Sequence, residues 1–275
     1  MQHSATHPSD SAGRPQGITP PQAREQSWAA LLLAWVAAFC DAIGFLVLKQ
    51  LGASFMSGNS MAMGVALGRL EWPSVLQRGL PILAFFLGNL LGFHVLTQVR
   101  RWGIRSSFAI VFGLEALCLL VFLLLGTNAL VGGVIHPSPS GIFSMCVVLL
   151  TLAMGLQTAT LRRAGSQSLR TTFVTGVLSD WAQGLMQYLS WLREQPREQH
   201  VRQTLRNSMQ QASFRQLLLL AGIWGCYVLG AICGSALELH MALSALVFPV
   251  CVLAVLIALD VFRPLQQPVA STSRR

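Results

Sequence analysis

Long apolar stretches at 27–48, 78–98, 107–126, 140–160, 216–237 and 240–262 constrain this chain more than any other feature. Each holds about 20 residues, enough for a helix to cross a hydrocarbon core of ~30 Å. Lipid offers no hydrogen bonds, so every backbone N–H and C=O in such a stretch must be paired within it, and that dictates helix. Only 11% of the residues are charged, against roughly 25% in soluble domains. The fold class is all-α: a polytopic membrane protein.

Two further segments, 57–70 and 174–190, are shorter and carry glycines and polar residues. Each follows a polar break, Phe55-Met56-Ser57-Gly58-Asn59 in the first case and Thr171-Thr172-Phe173-Val174-Thr175-Gly176 in the second. Paired interruptions in corresponding places of two halves point to broken helices around a transporter-type site. The expected architecture is six full transmembrane helices plus two short re-entrant or broken helices.

Charge placement supports that topology. If both short segments return to the side they came from, sixteen of the nineteen Lys and Arg residues fall on one side and only Lys49, Arg69 and Arg78 on the other. That asymmetry is the positive-inside pattern, with both termini cytoplasmic. It also accounts for the net charge of +9 without nucleic acid. Residues 1–26 read as a disordered cytoplasmic tail, 27–263 as one transmembrane domain and 264–275 as a second tail. Within the domain, half one is 27–126 and half two 140–263, the latter carrying a polar cytoplasmic loop at 192–215. Gly58 and Gly176 are 118 residues apart, and the Gly88/Gly92 and Gly230/Gly234 pairs 142 apart. The difference of 24 is the length of that loop. An odd number of full spans per half makes the internal repeat inverted.

Several polar groups lie at membrane depth. Asp41 reads either as a proton or cation site or as a carboxylate that caps the neighbouring break, because a carboxylate there must face a cavity or a partner. Gln157 occupies a similar place in the second half. Ser57, Gly58, Asn59, Thr175 and Gly176 read as helix starts whose free amides can bind an anionic or carbonyl group, or as ordinary caps. Glu115 and Asp180 are further carboxylates that can join a relay. His94 reads as a packing residue, and the glycine pairs as close helix contacts. All six cysteines lie in apolar segments, with no metal or disulfide spacing. No metal or cofactor is expected. No His-Glu-x-x-His, Walker or nucleophile-elbow motif is present, which argues against an enzyme.

Asp41-Ala42-Ile43-Gly44-Phe45, the run Phe55 to Asn59, Met154-Gly155-Leu156-Gln157 with Arg162-Arg163, and Thr171-Thr172-x-Val174-Thr175-Gly176 together resemble the YoaK-like bacterial membrane proteins, grouped as domain of unknown function 1275. The resemblance covers about residues 28–262. It implies a bacterial cytoplasmic-membrane protein of six or seven spans with no settled activity. From the residues themselves, the leading expectation is a small secondary transporter or permease with a midplane site between two broken helices. The alternatives are a non-transporting scaffold or signalling protein and a lipid-modifying membrane enzyme. Expected partners are membrane lipids and a small molecule or ion, with a homo-oligomer left open.

Overall fold

The first helix, α1 (Pro20–Val47), starts on a Pro-Pro pair and continues through Gln, Ala, Arg and Glu, all good helix formers, into the apolar run. Residues 20–26, read from sequence as the end of a disordered tail, are therefore helical. A helix already nucleated by an apolar span extends into polar residues at little cost. A computed structural model describes residues 20–104, 106–137, 141–164, 174–194 and 212–262. The rest of both expected tails, Arg105, the break residues Thr171–Phe173 and most of the 192–215 loop lie outside the described residues.

After α1 come α2 (Met56–Gly68), α3 (Trp72–Arg101), α4 (Ser107–Ala129), α5 (Ile142–Ala164) and α6 (Val174–Glu194). Next are α7 (Ala212–Met241), a 3-10 turn at Ala242–Leu246 and α8 (Val247–Phe262). Among the described residues, five stretches are long and apolar enough to cross a membrane, the last of them the 49 residues of Phe214–Phe262, which contains both α7 and α8. Ala242, at φ 49°, makes the bend that separates those two helices. Glu194 and Ala212 lie in helices, so the polar loop is shorter at both ends than the sequence suggested.

One element was not foreseen. Leu130–Val131 and Val134–Ile135 pair antiparallel between α4 and α5. Gly132 and Gly133 both have positive φ, 58° and 81°. Two central residues at positive φ make the two-residue turn that suits a hairpin's twist, and Gly-Gly is among its preferred sequences.

Two closely packed helix pairs organise the bundle. α3 runs against α5, and α1 against α7. Glycines set both contacts. A Cβ on Gly88 would strike the Leu152 carbonyl oxygen, and one on Gly92 would sit 2.7 Å from Ala159 Cβ. A Cβ on Gly230 would strike the Trp35 carbonyl oxygen, and one on Gly234 would lie 2.7 Å from that of Phe39. Only a residue without a side chain allows backbones so near each other. α2 lies on α3, α6 on α7, and α4 on both α5 and α8. α1 and α5 are the central helices, each 67% buried over its candidate span, against 28% for α3. The exposed Leu83, Phe86, Leu87 and Leu90 of α3 give the bundle the apolar outer surface that lipid requires.

Candidate functional site

The segment after α1 folds back on that helix. Lys49 and Gln50 take left-handed φ values of 52° and 60°, and Arg78 Nη1 of α3 donates to the Gln50 carbonyl at 3.3 Å. Four residues later, Ser54 is beside Asp41, six residues back from the end of α1 and hence ~9 Å along its axis. There α2 begins. It has 13 residues, a length of ~20 Å, short of a bilayer core. A three-residue turn then joins it to α3, and the two run antiparallel with Met63 against Gly79.

Asp41 is 4% exposed and holds this junction together. The Ser54 amide donates to its Oδ1 at 2.7 Å, the Ser54 hydroxyl to its Oδ2, and the Tyr227 hydroxyl of α7 to the same Oδ2 at 3.0 Å. One carboxylate therefore ties α1, the returning loop and α7. The sequence had offered Asp41 as a cap on the amides of 57–59. The residue it engages is Ser54 instead, and Tyr227 was not foreseen. A phenol inside an apolar span carried no signal that it would meet a residue 186 positions away.

Asn59 staples the same loop. Its Nδ2 donates to the Gly52 carbonyl at 2.8 Å, and its Oδ1 accepts from the Gly52 amide at 3.1 Å. The expectation that Asn59 or Ser57 caps α2 is corrected. The N-cap position is Phe55, with no side-chain cap, the Ser57 side chain is exposed, and the Asn59 amide is spent on loop backbone. Gly58 donates its N–H to the Phe55 carbonyl at 3.2 Å.

The second segment, expected to be short, is instead a helix of 21 residues, ~32 Å long and thus the length of a bilayer core, because the helix runs on through the polar residues to Glu194; its start is comparable to that of α2. Val177 packs with Ala34 of α1 and with Leu220 and Ile223 of α7. Tyr188 and Phe214 have ring centroids 5.4 Å apart, and Gly184 faces Leu217. These pairs run in opposite chain directions, so α6 is antiparallel to α7 and begins beside its middle. Thr175 is exposed, Gly176 is half-buried, and Asp180 is half-buried on α6.

Gln157 is fully enclosed on α5, its Nε2 donating to the Leu33 carbonyl at 2.8 Å while its Oε1 has no hydrogen-bond partner. Glu115 is 0% exposed on α4, and neither of its oxygens has one. Asp260, overlooked in the sequence, is also 0% exposed. Its Oδ2 accepts from the Ala109 amide at 2.8 Å and so caps α4 from α8. His94 is exposed on α3. An apolar groove of about 710 Å³ lies near the α2–α3 turn, lined by Met63, Leu76, Leu80, Leu83 and Phe143 among others. Neither Asp41 nor Glu115 lines it.

Residues 29–259 match a known family model, described as "Protein of unknown function (DUF1275)". The chain belongs to this family. A curated relative, the UPF0700 transmembrane protein YoaK of Bacillus subtilis (strain 168), is 26% identical over 149 residues, 54% of this chain and 62% of the relative. The match thus spans less than two thirds of that relative's length. No solved structure matches. The protein is a membrane protein of this family, all-α and polytopic. Its matched region takes in Asp41, Ser54, Asn59, Glu115, Gln157 and Tyr227 but ends one residue short of Asp260.

Proposed function

We propose that the chain is a small secondary permease whose moving junction is centred on Asp41. The observation that carries the reading is the three-way tie at Asp41, placed where a short helix begins within the bundle. Hydroxyl partners can donate or accept, so Ser54 and Tyr227 can release or regain Asp41 as a proton or cation arrives and leaves. A fixed ammonium or guanidinium partner would hold it more tightly.

A repeat supports the same reading. Gly88 and Gly230 are 142 residues apart, and the backbone atoms they meet, on Leu152 and Trp35, are 117 apart. Gly92 and Gly234 keep that spacing, their partners being Leu156 and Phe39. Two copies of one unit, packed reciprocally, account for both offsets. By this register Thr158, and not Gln157, occupies the place of Asp41, so the coupling carboxylate belongs to the first half alone. In this reading both termini are cytoplasmic, in a bacterial inner membrane, and α2 and α6 enter from opposite faces.

The test uses purified protein in liposomes with an entrapped pH-sensitive dye, challenged with a panel of small ions and metabolites. Wild type should move protons with at least one of them. Tyr227→Phe should alter the pH dependence of that movement, and Asp41→Asn should abolish the coupling. Unchanged coupled flux in Asp41→Asn would overturn the reading. Labelling of cysteines placed in 49–78 and 161–192 from the same side of the membrane would sink the topology.

A further inference from the structure

Among the described residues, three buried side-chain polar atoms lack a hydrogen-bond partner: Oε1 and Oε2 of Glu115, and Oε1 of Gln157. All three are acceptors unless a proton is added. Native proteins leave few buried polar groups unpaired, and an unpaired ionised carboxylate is the costliest of them. The described buried residues include no Lys, Arg or His to balance it.

Chain geometry brings the two residues together. α4 and α5 are joined by the short β-hairpin and pack against each other. Glu115 is 14 residues before the end of α4, and Gln157 is 15 residues after the start of α5. In an antiparallel pair those positions lie at the same height. Gln157 also binds the Leu33 carbonyl of α1.

We propose that Glu115 carries an exchangeable proton, with Oε1 of Gln157 accepting from the Glu115 hydroxyl directly or across one ordered water. Adding the proton turns one carboxylate oxygen into a donor and gives the orphaned amide oxygen its partner, so one event pairs two of the three atoms and removes the negative charge from the third. The proton comes from water and returns to it, and no other bond changes. Groups around the site are consistent with this. α1 presents Cys40 and, one residue on, Asp41, whose carboxylate is already occupied by Ser54 and Tyr227. α4 adds Cys118, three residues on from Glu115 along the same helix. α8 adds Asp260, committed to the start of α4. On α3, His94 is exposed. The assignment adds a second proton-carrying carboxylate to the permease beside Asp41 and rests on that reading only for its part in transport.

The experiment is infrared difference spectroscopy of the purified full-length chain between acidic and alkaline buffers, in H2O and D2O. The wild type should show a protonated-carboxyl C=O band that shifts in D2O. That band should be lost in Glu115→Gln, persist in Asp41→Asn, and move in frequency in Gln157→Leu as its acceptor disappears. A band untouched by Glu115→Gln overturns the proposal, as does one that stays in place in Gln157→Leu. If Glu115→Gln does not yield monodisperse protein, the Gln157→Leu spectrum decides alone. Coupled flux in liposomes with no such band rejects this site and leaves the permease standing. The band without any flux does the reverse.

Discussion

Replacing Asn59 by Ala should cost the protein more than any exposed change in the break. The side chain forms both hydrogen bonds to Gly52, accepting at 3.1 Å and donating at 2.8 Å, and Gly52 is buried. Truncation leaves a buried N–H and a buried C=O without partners, at about 1–3 kcal/mol each, so ~2–6 kcal/mol in all. The lost amide no longer has to be taken out of water, which returns ~1–2 kcal/mol. The net expectation is a destabilisation of about 1–4 kcal/mol. Ser57→Ala, two positions earlier and exposed, is the control and should stay within ~0.5 kcal/mol of wild type. Unfolding by SDS titration in mixed micelles, followed by tryptophan fluorescence, measures both. If Asn59→Ala and Ser57→Ala unfold alike, the staple contributes nothing and the loop is held by other contacts. The corresponding residue of α6, Val177, packs against Ala34, Leu220 and Ile223. There an apolar side chain meets apolar neighbours, whereas Asn59 meets backbone.

The same titration checks two further expectations. A Cβ at Gly155 would lie 2.9 Å from the Asn89 nitrogen and 3.0 Å from Gly88 Cα, so Gly155→Ala must push α3 and α5 apart and should destabilise by about 1–3 kcal/mol. Gly113 has open space around it, and Gly113→Ala should be neutral or stabilising by up to ~1 kcal/mol through helix propensity; equal effects at the two glycines would refute the close-packing account. Asp260→Ala should cost about 1–2 kcal/mol by uncapping α4, with Asp260→Asn retaining most of the stability because it keeps an acceptor; an unaffected Asp260→Ala would show that the Ala109 amide needs no cap.

The membrane class and the apolar helices were legible because they follow from residue type and run length. Lipid leaves a 20-residue apolar stretch little choice but helix. Gly88, Gly92, Gly230 and Gly234 announced close contacts in the same way, since small residues four apart fall on one helix face. The starts of α2 and α6 were legible as interruptions of that pattern, but the 21-residue length of α6 was not. Which polar side chain meets which partner was not written locally. Asp41 could be seen as an isolated carboxylate, but the hydroxyl of Tyr227 reaches it only because the α1–α7 packing brings the two together. Asn59 looked like a helix cap and became a loop staple, because the returning chain placed the Gly52 backbone within its reach. Asp260 was overlooked in the sequence and caps a helix 151 residues away. Glu115 and Gln157 were separate candidates until an antiparallel hairpin set them at one height. Sequence by itself determined where the chain must be helical and apolar, since lipid acts on each segment alone. Tertiary structure decided the partners of the buried polar groups, because a hydrogen bond needs two atoms within about 3 Å, and only packing fixes distances between residues far apart in the chain.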